Sequence, residues 1–305
     1  MPRTRQVDPK KLDAWLRETL TGPSAAGYTH RLLKEQAGAR AVILDELGGY
    51  VREAHEDAVH ALRNVLEPTL APFATNVDDP AFGYPADLHI DTLMGYFGEI
   101  FAGLLAEHKA VNGQQPWQIP AFLFRFHRVA FQKLQMRRDL QQQQITPEAK
   151  DSSTSRIPGR TGNDVLAFRV GSDGKLVGLL ICEAKCFSAH NMAKAKAAHG
   201  QLTEFSKIRC PSGVSELVEL LADRAGAAAE AWVGRLRQFM FDAKQRVPRS
   251  DAIVYVTGNS PTTRATWLGV NVAASEYKAS GPLEVLEVHV SDPQGLVRAL
   301  YRPNK

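Results

Sequence analysis

Cysteine is scarce in this chain: only Cys182, Cys186 and Cys210 occur in 305 residues. Three thiols cannot all pair, and a disulfide framework would need more in a chain of this length. None belongs to a CxxC pair or to a Cys/His cluster at zinc spacing, which removes a structural zinc module. No run of about 18 apolar residues occurs, so no membrane span is expected. The opening residues, MPRTRQVDPKKLDAWL, are charged and lack the apolar stretch of a secretion signal. The expectation is a reduced, cytoplasmic protein. Charge of one sign is also in short supply, since 37 Lys+Arg against 33 Asp+Glu leave a formal +4. That excess is too mild to mark a nucleic-acid partner, so the placement of basic residues must carry any such argument. A GxSxG elbow, a Walker-type glycine loop and HExxH are all missing, which excludes the common hydrolase, nucleotide-binding and metalloprotease signatures.

What is present suits a globular domain. Apolar residues make up 44% and charged residues 23%, close to the average soluble chain. Residues 1–80 read as a helical N-terminal region. The stretch Ala41–Leu70 spaces Val42, Leu44, Leu47, Val51, Val59, Leu62 and Val65 at helical intervals, with Gly48-Gly49 as a break between two helices. A second helix is predicted from about Leu88 to His108, capped by Asp87 and apolar on most sides. Trp117–Phe126 reads as a strand by its aromatic content. The segment after it reads as a helix, followed by a mobile polar loop over 145–160. Asp164–Val170 and Lys175–Phe187 then form a hairpin across Gly171-Ser-Asp-Gly174. Helices over 191–207 and 214–246 and strands over 251–258 and 283–290 complete an α/β arrangement around a mixed sheet.

The chemistry concentrates on the second strand of that hairpin. Alternate residues of a strand share a face, so Glu183 and Lys185 point one way and Cys182, Ala184 and Cys186 the other. The run Leu176–Cys182 before them is almost wholly apolar. A buried strand therefore ends in a carboxylate beside an ammonium, and charges placed there need a reason. Asp164 begins the partner strand and is positioned to approach them. Two carboxylates and a lysine suit a hard divalent cation, Mg²⁺ or Mn²⁺. They also suit hydrolysis of a phosphodiester, with Lys185 stabilising the charge that builds on phosphorus.

This arrangement, GND at 162–164 and ICEAKC at 181–186, resembles the PD-(D/E)xK nuclease superfamily over roughly residues 87–290. The resemblance implies a restriction-endonuclease-like mixed β-sheet core flanked by helices, as a nuclease-like domain over 87–305 preceded by the helical extension 1–80. It places Asp164 and Glu183 as metal ligands, with the carbonyl of Ala184 lending an oxygen, and Lys185 as the catalytic lysine. It adds Glu99, from the first core helix, as a further catalytic and metal-binding carboxylate. It adds Gln201, four residues before Phe205, as a further catalytic residue. Asn163 stands where the family usually has proline.

Basic residues border this site in sequence. Arg125, His127, Arg128, Lys133, Arg137 and Arg138 form one set, Arg156 and Arg160 a second, and Lys194, Lys196, Lys207 and Arg209 a third. Of these Arg156, Arg160, Lys194 and Lys196 are the candidate DNA contacts, positioned to neutralise phosphates. The layout is similar to nuclease components of anti-phage defence systems, the Hachiman type among them, which implies DNA as substrate and restraint by a partner helicase or ATPase. Two alternatives stand beside this reading. One is a type II-like restriction endonuclease acting as a homodimer. The other is a catalytically silent, nuclease-derived DNA-binding or scaffold subunit.

Overall fold

The computed structural model describes residues 6–22, 27–65, 81, 83–124, 163–242 and 245–302. In chain order they form α1 (Pro9–Trp15), β1 (Leu16–Thr21), β2 (Tyr28–Glu35), α2 (Arg40–Val65) and α3 (Ile90–His108). There follow β3 (Val165–Val170), β4 (Leu176–Phe187), α4 (Met192–Ser206), α5 (Gly213–Ala222) and α6 (Ala227–Phe241). The chain closes with β5 (Arg249–Thr257), β6 (Leu283–His289) and α7 (Pro293–Tyr301). The six strands make one mixed sheet in the order β1-β2-β6-β5-β4-β3. The inner strands β2, β6, β5 and β4 run parallel, and the outer pairs β1–β2 and β3–β4 are antiparallel.

The parallel strands explain their own sequences. Every residue of β6 is buried, and so is all of β5 after Arg249. Strands covered on both faces read as continuous rather than alternating apolar runs. One cover is α3, whose Gly98 lies so close to β4 that a Cβ there would sit 3.2 Å from Cys186 Cβ and 3.8 Å from Ala184 Cβ. The other consists of α4, α5 and α6. There Ala195, Ala198, Leu202, Leu217 and Leu236 pack with Leu179, Ile181, Ile253 and Val285 of the sheet. The two faces of β4 thus belong to different layers, which decides which side chains can meet.

Several expectations need correction. The first 80 residues are not wholly helical, because β1 and β2 join the central sheet and β2 pairs with β6 in parallel. The sheet therefore crosses the boundary placed at residue 80. Charged residues hid these strands: in YTHRLLKE the buried Tyr28, His30 and Leu32 alternate with Thr29, Arg31 and other polar positions. The helix α2 runs unbroken through Gly48 and Gly49, which are buried. The cap of α3 is His89, whose ring accepts from the Asp91 N–H, rather than Asp87. Residues 117–124 are irregular, joined to β3 by a single bridge, Gln118 to Phe168. The expected long helix over 214–246 is two helices, separated at Gly226 with φ +115°. The final helix α7, capped by Asp292 with Pro293 in its first turn, was not foreseen. The helix expected after His127 and the loop 145–160 lie outside the described residues. Among the described residues no helix is long and apolar enough to cross a membrane.

Candidate functional site

The hairpin builds the site. Its turn closes through Gly174 with φ +79°, a left-handed conformation that suits glycine. The register pairs Val165 with Cys182, so Asp164, one residue before β3, arrives beside Glu183 and Ala184. The Ala184 N–H donates to Asp164 Oδ2 at 2.8 Å. The same oxygen lies 3.4 Å from Lys185 Nζ, and Glu183 Oε2 lies 3.1 Å from it. Asp164, Glu183 and Lys185 are therefore brought together around one ammonium. Glu183 is fully buried, whereas Asp164 and Lys185 keep about a fifth of their side-chain surface in solvent. The carboxyl is the floor of the site and the lysine its lip.

Electrostatics follow from that placement. Burial, then the charge of Asp164, pushes the Glu183 carboxyl well above the usual carboxylate range, against the pull of Lys185. Burial disfavours the Lys185 ammonium, but the two carboxylates outweigh it and raise the group above its ordinary value. Lys185 is thus held as the ammonium at neutral pH, a form that donates hydrogen bonds and cannot take up a proton. Two buried polar atoms here have no partner among the described residues: Glu183 Oε1 and the side-chain amide nitrogen of Asn163. A buried carboxylate oxygen without a partner is costly and calls for an explanation.

The donor set fits a hard cation. Glu183 Oε1 is unpaired and Asp164 reaches the same spot. The N–H and C=O of one strand residue point to the same edge, so the bond from Ala184 to Asp164 turns the Ala184 carbonyl toward the site, beyond the end of β3. Oxygen donors of this kind select Mg²⁺ or Mn²⁺. Among the described residues no group of three or more His, Cys, Asp and Glu side chains is gathered to hold a metal ion.

Glu99 sits elsewhere. Its helix α3 covers the opposite face of β4, and its charge acts on Tyr84, Tyr96 and Tyr301. There His55 lies between the hydroxyls of Tyr84 (2.8 Å) and Tyr301 (3.0 Å), and burial lowers its pKa to about 3. Gln201 is half-buried on α4, and among the described residues no hydrogen bond ties it to Asp164, Glu183 or Lys185. Lys194 and Lys196 are exposed in the first turns of α4, and Lys196 pairs with Glu276 at 3.6 Å. Lys207 pairs with Glu204, and Arg209 donates to the carbonyls of Phe239 and Met240 at the end of α6, which gives both local roles. Arg125, His127, Arg128, Lys133, Arg137, Arg138, Arg156 and Arg160 lie outside the described residues. Cys182 and Cys186 are buried on the α3 side of β4, and burial pushes the Cys186 thiol up to about 12.

One neighbour escaped the sequence reading. Tyr255 is the register partner of Lys185 on β5. Its hydroxyl accepts from the Asn191 N–H (2.7 Å) and lies 2.9 Å from His190 Nδ1, and the His190 ring stacks on Trp267 at 4.3 Å. The parity of DAIVYVTG places Tyr255 on a face, but only the β4–β5 register says which residue it adjoins. No protein-family model matches the chain, and no curated protein matches it.

Proposed function

We propose that the chain is a metal-dependent nuclease of the PD-(D/E)xK kind, with a restriction-endonuclease-like core, that hydrolyses DNA phosphodiester bonds. The observation that carries this reading is the convergence of Asp164 and Glu183 on Lys185 Nζ, with Glu183 Oε1 buried and unpartnered. Asp164, Glu183 and the Ala184 carbonyl would hold Mg²⁺ or Mn²⁺. Such a cation supplies Lewis acidity toward a phosphate oxygen and lowers the pKa of water. The chain's own part is positional. The Ala184 N–H fixes the Asp164 carboxylate, and β4 fixes Glu183 and Lys185 on one face. The Lys185 ammonium, charged and partly solvent-facing, donates to the attacking water or to the phosphate oxygen on which negative charge builds.

Three further parts of the proposal rest on the resemblance rather than on this geometry: a role in anti-phage defence, a cytoplasmic setting and control by a helicase or ATPase. A silent scaffold is disfavoured by the site itself. Nothing in packing requires a carboxylate with an unpartnered oxygen at the floor of a sheet, and its retention costs stability.

Cleavage of linear, nicked and single-stranded DNA with Mg²⁺, Mn²⁺ or EDTA tests the reading. Wild type should cut only with metal. Lys185→Ala should lose at least about 100-fold in rate while melting as a folded protein. Undiminished cleavage by Lys185→Ala would remove the reading.

A further inference from the structure

A second constellation lies at the carboxyl ends of β5 and β6 and uses none of the residues of the proposed nuclease site. Glu287 and His289 are two apart on β6 and so share a face. Ser260 follows β5 by three residues and is exposed. Ser260 Oγ lies 2.9 Å from His289 Nδ1, and His289 Nε2 lies 2.7 Å from Glu287 Oε1. Glu287 is wholly buried, His289 nearly so.

The donor and acceptor roles follow from Glu287. Its carboxylate accepts from the backbone N–H groups of Trp267 (2.7 Å) and Leu268 (3.0 Å) and meets His30 Nε2 at 3.1 Å as well as His289. Burial alone would raise its pKa, but these donors hold it at about 2. An ionised carboxylate only accepts, so His289 Nε2 carries the proton. In the neutral ring Nδ1 is then the acceptor, and the Ser260 hydroxyl must donate to it. A hydroxyl, a base within hydrogen-bond reach and a third group orienting that base are the parts of an activated nucleophile. The two ring nitrogens are exchanged relative to the serine-protease arrangement.

The loop that presents Ser260 is held in place. A Cβ on Gly258 would meet the Ser188 carbonyl oxygen at 2.3 Å, so the chain passes there only as glycine. Asn259 Oδ1 accepts from Thr257 Oγ1 and from the His190 N–H, both at 2.9 Å, and the Asn259 carbonyl accepts from Trp267 Nε1 at 2.9 Å. The exposed hydroxyl is thus fixed against a buried base.

We propose that Ser260 is a second nucleophile of this protein, with His289 as its general base and Glu287 as the positioning residue for His289, and that it takes acyl groups from activated carboxylic esters. In the acylation step Oγ bonds to the carbonyl carbon and its proton passes to His289 Nδ1. The ester C–O bond then breaks, and the alcohol leaves with that proton. Water returns the acyl group as a carboxylic acid and restores the Ser260 proton through His289. With a fluorophosphonate probe the same attack forms an Oγ–P bond and expels fluoride, leaving a stable adduct.

The experiment treats the full chain with a fluorophosphonate and locates the adduct by peptide mass spectrometry. Ser260 should be labelled in wild type, and Ser260→Ala, an exposed change, should take up no probe at that peptide. His289→Asn should slow labelling at least about 100-fold, the low end of a general base's contribution. Glu287→Asp should retain more labelling than Glu287→Gln. A role in packing alone would favour the isosteric amide and give the reverse order. Absence of an adduct on Ser260 in folded wild type, or labelling indifferent to His289→Asn, would overturn the proposal. Should the β6 variants not fold, wild type against Ser260→Ala still decides it.

Discussion

Glu183 is where the site costs the fold most. In the unfolded chain its carboxyl titrates near the ordinary value of about 4.3. In the folded chain burial and Asp164 raise it. Between those two values the native state holds a proton that the unfolded state has lost, so this residue's contribution to stability falls as pH rises through the window. Glu183→Gln, with no charge to bury, escapes that loss. In EDTA its melting temperature should gain on wild type from pH 5 to pH 8, while cleavage is abolished. Equal gains at both pH values would contradict the assigned burial cost. Lys185 has the same pH slope in a higher window: its raised value makes the ammonium stabilising at neutral pH, a contribution fully present below the ordinary lysine value of about 10.4 and lost as pH rises above it. Much of this was legible in the sequence, because the apolar run Leu176–Cys182 ending in Glu-Ala-Lys forces charges onto a buried strand. The unpartnered atoms of Glu183 and Asn163 were not legible, since a missing hydrogen bond is a property of the surroundings.

Among the elements, the hairpin was read correctly because its signal is local: two apolar runs joined by a four-residue turn with glycine at each end. Placing Glu99 and Gln201 required knowing which helix covers which face of β4, and that depends on tertiary packing. Gly98 settles it for α3, by lying against Cys186 and Ala184 on the face away from Glu183 and Lys185. The contact also makes a prediction. Gly98→Leu must push α3 off β4 or distort the strand, and overpacking of this kind costs about 1–3 kcal/mol. Denaturant unfolding should show that loss even though helix propensity favours leucine over glycine. An unchanged or raised stability would mean that α3 is not seated on β4 as described. The N-terminal strands were missed for a related reason. In β2 the polar Thr29, Arg31, Lys34 and Glu35 break up the apolar signal, although Leu32 and Leu33 are buried on its two faces.

For the whole molecule, the consequence is that residues 16–35 are not an appendage. The strand β2 pairs with β6 from Tyr28–Leu283 through Lys34–His289, and the buried His30 meets the buried Glu287 at 3.1 Å. Removing residues 1–35 would bare one edge of β6 and strip a partner from a buried carboxylate. Such a truncation should be insoluble or melt without cooperativity, as circular dichroism would show. A soluble fragment with a cooperative transition would instead restore an independent domain beginning later in the chain. The functional account rests on whether the floor of the site takes a metal, and metal binding is the step that a restraining partner need not gate. The decisive measurement is a calorimetric Mn²⁺ titration of wild type, Asp164→Asn and Glu183→Gln in buffers of different ionisation enthalpy. The account expects one site in wild type, with the buffer dependence reading any proton exchanged on binding, and loss of that site in both variants. No heat in wild type, or the same isotherm in all three proteins, would contradict it.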